Sequence, residues 1–272
     1  MRRILSGAIY SISTLLGAMA LLYPLIIRST RAAEGGVRAQ DAPLTTAALV
    51  GLSLLALLVE LQGETIGAKT VAMLGVLVAI TSVLRFIEVL VPLPGGFSPI
   101  FAPILLAGYV FGGRFGFLMG VFTILASALI TGGVGPWLPF QMLISGWVGM
   151  SAGGLRLLPW RSAREGAAGA PALAALAVLG CIWGLLYGAL TNLYFWPYAI
   201  GPESQSLVGG PGLREVLTRF GAFYVATSLP WDMARAIGNV ALVLALGRPT
   251  VRALTRFRRR FHYRRVEVSS HA

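Results

Sequence analysis

Charge is what this sequence has least of. Only 12% of its 272 residues are Asp, Glu, Lys or Arg, against 56% that are hydrophobic. Soluble domains carry about twice that share of charge, so the solvent for this chain is lipid. Cysteine is nearly absent. Cys181 stands alone in an apolar run, which excludes an intrachain disulfide, an iron–sulfur cluster and a structural zinc. The two histidines, His262 and His271, both fall in the last residues, which excludes a histidine-ligated haem inside the membrane. Acids are few and unclustered, and HExxH and GxSxG are missing. The sequence calls for no resident metal or cofactor. Period-two alternation in short segments, the mark of a membrane barrel, is missing too. What remains is an all-α fold, a polytopic transmembrane helical bundle.

Long apolar runs are what the chain does have. Met1-Arg2-Arg3 precedes Ile4–Ile27, longer than the roughly 7–15 apolar residues of a secretory signal, so this run reads as an uncleaved first span. A polar loop, 28–43, leads to a second span, Leu44–Leu61. The third runs from Ala68 to Val91. Ser98–Thr131 is too long for one helix and breaks at Gly112-Gly113-Arg114. Its first piece, Ser98–Phe111, would rise only about 21 Å, short of the roughly 30 Å hydrocarbon core, so it should be tilted or sheltered by neighbours. Span six is Leu138–Leu158 and span seven Ala172–Tyr194. A glycine- and proline-rich loop, 195–220, precedes span eight, Ala222–Leu246. The expected division is 1–63 for two N-terminal helices and their loop, 64–247 for a six-helix core, and 248–272 for a basic tail. Gly63–Thr70 superficially resembles a phosphate loop, but Ala68 stands where a glycine must precede the lysine, and no strand leads into it. Any ATP must therefore be used by another chain.

The net charge of +12 does not point to nucleic acid. Eight of the 22 basic residues follow Gly247, directly behind an apolar span, as a cytoplasmic flank against anionic lipid does. With eight spans and both termini inside, fifteen basic residues fall on the inner side and five on the outer. That is the asymmetry the positive-inside rule requires, although Arg28, Arg31 and Arg38 sit in a discordant outer loop. The expected location is the cell membrane, multi-pass, with both termini cytoplasmic.

Ionisable groups inside such spans are costly and are functional candidates by default. Arg85 and Glu88 lie on span three, Asp232 and Arg235 on span eight, each pair three residues apart and so on one helix face. Two cross-helix ion pairs are expected, Arg85 with Asp232 and Arg235 with Glu88. They serve either as a clasp between helices or as a site for a polar ligand, and both readings stay open. Asn239 continues the stripe, and Gln141 and Asn192 add amides on spans six and seven. Phe97, Trp137, Tyr194, Trp196 and Trp231 lie at the same end, beside glycine-rich turns. They fit an interfacial aromatic belt or the walls of a vitamin-sized pocket whose loops move as a gate. Ala68, Ala72, Gly75 and Ala79 form a smooth stripe on span three, suited to internal packing or to a partner subunit.

Residues 68–247 resemble the substrate-binding S component of energy-coupling factor (ECF) vitamin transporters. The likeness rests on AKTVAMLGVLVA, LPGGFSPIFAPILLAGYVFGGRFGFLMG, GGVGPWLPFQMLISGWVGMSAGGL and PWDMARAIGN. It implies six core helices, a pocket near the outer face, a transmembrane coupling subunit and two ATPases. It also implies a vitamin released inside by toppling of the S component. The AxxxA of Ala68–Ala72 matches the family's docking pattern. The closing loops would be Pro92–Pro99, Gly132–Trp137 and Phe195–Arg219. Two N-terminal spans stand outside the usual pattern. GGVGPWLPFQM and PWDMARAIGN most resemble members associated with cobalamin; riboflavin or another heterocyclic vitamin comes next. The expected role is a non-enzymatic transporter subunit that binds a vitamin. Its rivals are a membrane enzyme acting on lipid or isoprenoid, which needs acids or histidines at the inner face, and a membrane sensor or scaffold.

Overall fold

The structure, a computed structural model, describes residues 68–91, 97–135, 137–157, 169–196, 201–206 and 212–261, with residues 8, 10–12, 14, 15, 17, 18, 48 and 52 before them. Most of spans one and two and the loop at 28–43 lie outside the described residues. So do parts of the three expected closing loops (92–96, 136, 197–200 and 207–211), Arg161, Arg164 and the chain after Phe261.

Every element among the described residues is helical. The α-helices are α1 (Ala68–Leu90), α2 (Phe101–Phe111), α3 (Gly113–Thr131), α4 (Leu138–Gly154), α5 (Ala170–Phe195), α6 (Leu213–Thr227) and α7 (Leu229–Phe261). Four of them, α1, α3, α5 and most of α7, are long and apolar enough to cross a membrane. The chain is thus a multi-pass helical membrane bundle. The short α2 is sheltered rather than exposed, with Phe101, Ala102 and Ile104 to Val110 all buried. It turns into α3 through Gly112, at φ 109°, a backbone angle that residues with a Cβ avoid.

Apolar burial drives little helix association in lipid, where close backbone approach and hydrogen bonds do the work instead. Among the described residues two interfaces carry rows of glycine, and Gly108 of α2 also meets the Gly149 carbonyl of α4. A Cβ on Gly116 would run into the Gly149 carbonyl, one on Gly153 into the Gly113 amide, and one on Gly120 into the Ser145 carbonyl. Residue numbers rise on α3 as they fall on α4, so these helices are antiparallel and in backbone contact. The second interface joins α5 to α7, also antiparallel. Gly180, Gly184 and Gly188 face Asn239, Ala236 and Asp232 in turn. Alongside, α2 runs in the same direction as α7: Phe101 lies beside Arg235, and Arg258 donates to the Val110 carbonyl at 2.7 Å.

Two boundaries differ from the sequence reading. The stretch 195–220 is not loop throughout, because Glu203–Gln205 form a 3-10 turn and α6 begins at Leu213. Residues 222–227 belong to α6, while α7 continues past Pro249 to Phe261. Glycine and proline density hid a helix whose own apolar content is modest, and the basic residues after Gly247 are good helix formers.

Candidate functional site

The N-terminal halves of α2 and α7, the C-terminal half of α5 and the N-terminal half of α4 share one end of the bundle. Arg235 is the centre of what they enclose. Its guanidinium pairs with the Asp232 carboxylate one turn earlier on α7 and reaches the Gly184 carbonyl at 3.4 Å. It lies 5.1 Å from the ring centre of Tyr187 and 5.8 Å from that of Phe101, within cation–π range. Those rings meet edge to face at 4.8 Å. Tyr187 is within electrostatic reach of Arg85, Glu88 and Arg235, and it sits beside Ser145 without a well-formed hydrogen bond.

The expected ion pairs between α1 and α7 do not form. Asp232 is held by its own helix neighbour Arg235, and Glu88 accepts a 2.7 Å hydrogen bond from Ser98 in the segment leading to α2. The cause is the glycine row on α5. The Asp232 carboxylate lies where a Cβ of Gly188 would stand, so α7 presses its polar stripe into α5 and away from α1. Asn239 follows, donating to the Gly180 carbonyl at 3.0 Å. Asp232 and Asn239 are 1% and 0% exposed. Even so, Asp232 Oδ2, Arg235 Nε, Asn239 Oδ1, Tyr187 Oη and Ser145 Oγ are buried without a hydrogen-bond partner. Leaving such groups unmet is costly inside a low-dielectric bundle; those of Asp232, Arg235, Tyr187 and Ser145 neighbour one another, while Asn239 lies two turns beyond Asp232 along α7, against Gly180.

The other candidates divide. The Phe97 ring covers Gly238 on α7 and so roofs the polar stripe. Gln141 is half-buried in the first turn of α4. Asn192 is used structurally, donating to Ser228 Oγ at 2.8 Å where α6 meets α7. Phe140, Tyr194, Phe195 and Trp137 form a chain of ring contacts: Phe140–Tyr194 at 4.6 Å, Tyr194–Phe195 at 5.0 Å and Trp137–Phe195 at 6.4 Å. Trp196 is enclosed by its own cover, bonded to the Gln205 carbonyl at 2.7 Å and against Phe220 at 5.1 Å. Trp231 is 53% exposed and points out of the bundle. Sequence reading missed Ser98, Phe101, Ser145, Tyr187 and the glycines of α5. The spacing Gly180-x-x-x-Gly184-x-x-x-Gly188 was the available signal.

On α1, Ala68, Ala72, Gly75 and Ala79 are all exposed, and nothing approaches a Cβ built on Gly75 within 4 Å. Among the described residues this stripe does not serve internal packing. Gly75 also lines an apolar groove between α1 and α3, with Val71, Leu74, Val78, Phe122 and Leu125.

Comparison with curated proteins and with solved structures returns no match. A family model does match: the substrate-specific component of ECF transporters, over residues 69–247, from the start of α1 to the end of the apolar part of α7. More than half the chain lies within that match, and the helical bundle agrees with it. This protein therefore belongs to the family of ECF transporter substrate-specific components, membrane subunits that bind a small molecule and work with a membrane coupling subunit and ATPase subunits.

Proposed function

We propose that this S component binds a heterocyclic vitamin at the Arg235 cluster, with cobalamin as the first candidate and riboflavin next, and delivers it through a coupling subunit driven by two ATPases. The observation that supports the site is the meeting of α2, α4, α5 and α7 around Arg235, with Arg85 and Glu88 of α1 within electrostatic reach of Tyr187. Arg235, whose Nε has no hydrogen-bond partner, lies beside the Phe101 and Tyr187 rings. Fixed polar groups among aromatic walls suit a planar, polar ligand. Arg85, Glu88, Arg235 and Asn239 would orient it, and Phe97, Trp137, Gln141 and Tyr194 would border its entry.

An outward-facing site is supported by the placement of charge. Arg258 at the Val110 carbonyl and Arg156 beside Gly112 gather at the opposite end of the bundle, the end the positive-inside rule assigns to the cytoplasm. Docking on the coupling subunit through Ala68, Ala72, Gly75 and Ala79 is supported by the exposure of all four.

The Asp232–Arg235 pair seated on α5 supports a second reading, in which the stripe is only a clasp. Titration calorimetry of the purified protein against a vitamin panel separates the two. Binding at micromolar affinity or tighter, lost in Arg235→Ala while the variant stays folded, supports the site. Silence across the panel overturns it.

A further inference from the structure

The matched family region begins at residue 69, yet the core is not closed without what precedes it. Residues 8, 10–12, 14, 15, 17 and 18 are helical, and Tyr10, Thr14 and Gly17, at i, i+4 and i+7, share one face. That face lies on α3 and α4. The Tyr10 ring meets Phe117 edge-on at 5.3 Å and 86°, and Tyr10 is 6% exposed. Phe117 in turn lies across Gly146 of α4, 2.7 Å from where its Cβ would be. Trp147 Nε1 donates to Thr14 Oγ1 at 3.4 Å. The Leu143 side chain fills the space a Cβ on Gly17 would need. Ile12 and Leu15 on the other side are 53% and 62% exposed, as lipid-facing residues are.

We infer that this N-terminal helix is a permanent member of the bundle, seated on the α3–α4 face through Tyr10, Thr14 and Gly17. It stays seated when the chain assembles with its coupling subunit. The helix therefore moves with the core and keeps the face around Phe117, Leu143 and Trp147 covered against any partner. The contact has the features that hold helices together in lipid: a small residue taking in a large side chain, a ring pair, and a hydrogen bond that neither partner replaces there. The inference is independent of which ligand is bound.

Cysteine cross-linking in membranes tests it, in a Cys181→Ser background. A disulfide needs Cβ atoms about 3.5–4.5 Å apart, and Leu143 Cγ lies 2.8 Å from the Cβ position of Gly17. The pair Gly17→Cys with Leu143→Cys should therefore cross-link on mild oxidation, roughly tenfold faster than the outward control Leu15→Cys with Leu143→Cys. The rate should be the same in the chain alone and in the complex turning over ATP, and the cross-linked chain should still copurify with the coupling subunit. No cross-link in the chain alone overturns the seat. A cross-link that slows in the complex, or that expels the coupling subunit, overturns its permanence. Neither readout requires a vitamin, so the site proposal and this inference fail separately.

Discussion

A single methyl group at residue 188 has nowhere to go, because the Asp232 carboxylate occupies its place. Gly188→Ala must push α7 off α5, at about 1–3 kcal/mol by the usual cost of overpacking. A thermal melt of the detergent-purified protein should show the loss, whereas Gly221→Ala, mid-helix in α6 with nothing within 4 Å, should stabilise by about 0.5–1 kcal/mol. The Asp232–Arg235 pair offers a sharper test at the same scale. Arg235→Ala strands a buried carboxylate, which costs about 3–5 kcal/mol, whereas Asp232→Asn with Arg235→Gln removes both charges at once. If the pair is only a clasp, the double variant should recover stability and keep any vitamin binding. If Arg235 binds the ligand, stability should recover and binding should not. Calorimetry and a melt on the same two samples distinguish these outcomes.

Helices pair here where glycine lets backbones touch, and that decides which polar residues meet. The three-residue spacings of Arg85–Glu88 and Asp232–Arg235 were legible in sequence, and each pair does share a helix face. Their partners were not legible. Choosing between α1 and α5 as the neighbour of α7 depends on which helix offers the smoother groove, and the row Gly180, Gly184 and Gly188 outdoes anything on α1. The smooth stripe that α1 does carry is left exposed. Ala72→Leu should therefore spare folding and vitamin binding but abolish copurification with the coupling subunit; an intact complex would remove this face from consideration. Helix α6 was hidden for a related reason. Its glycine-rich approach and mixed composition carry no membrane signal, and Arg219 ties it to the preceding 3-10 turn, reaching the Ser206 carbonyl at 3.0 Å and Glu203 at 3.6 Å.

Across the whole molecule, composition alone determined the solvent. At 12% charge no arrangement of this chain covers itself with polar surface, so a membrane bundle follows before any residue is placed. Run lengths then set the limits of spans three to seven to within a few residues, and the texture of residues 68–247 pointed to the family that the model match shows. Tertiary structure decided what local pattern cannot carry. It turned the four intramembrane charges from two cross-helix pairs into one pair within α7 and a Glu88–Ser98 bond. It brought Phe101, Ser145 and Tyr187 to the centre of the cluster and sent Trp231 outward. It also seated the N-terminal helix on α3 and α4. The physical reason is common to all three. Hydropathy is a property of each segment, but contact in lipid depends on how two surfaces fit, and fit exists only between segments far apart in sequence.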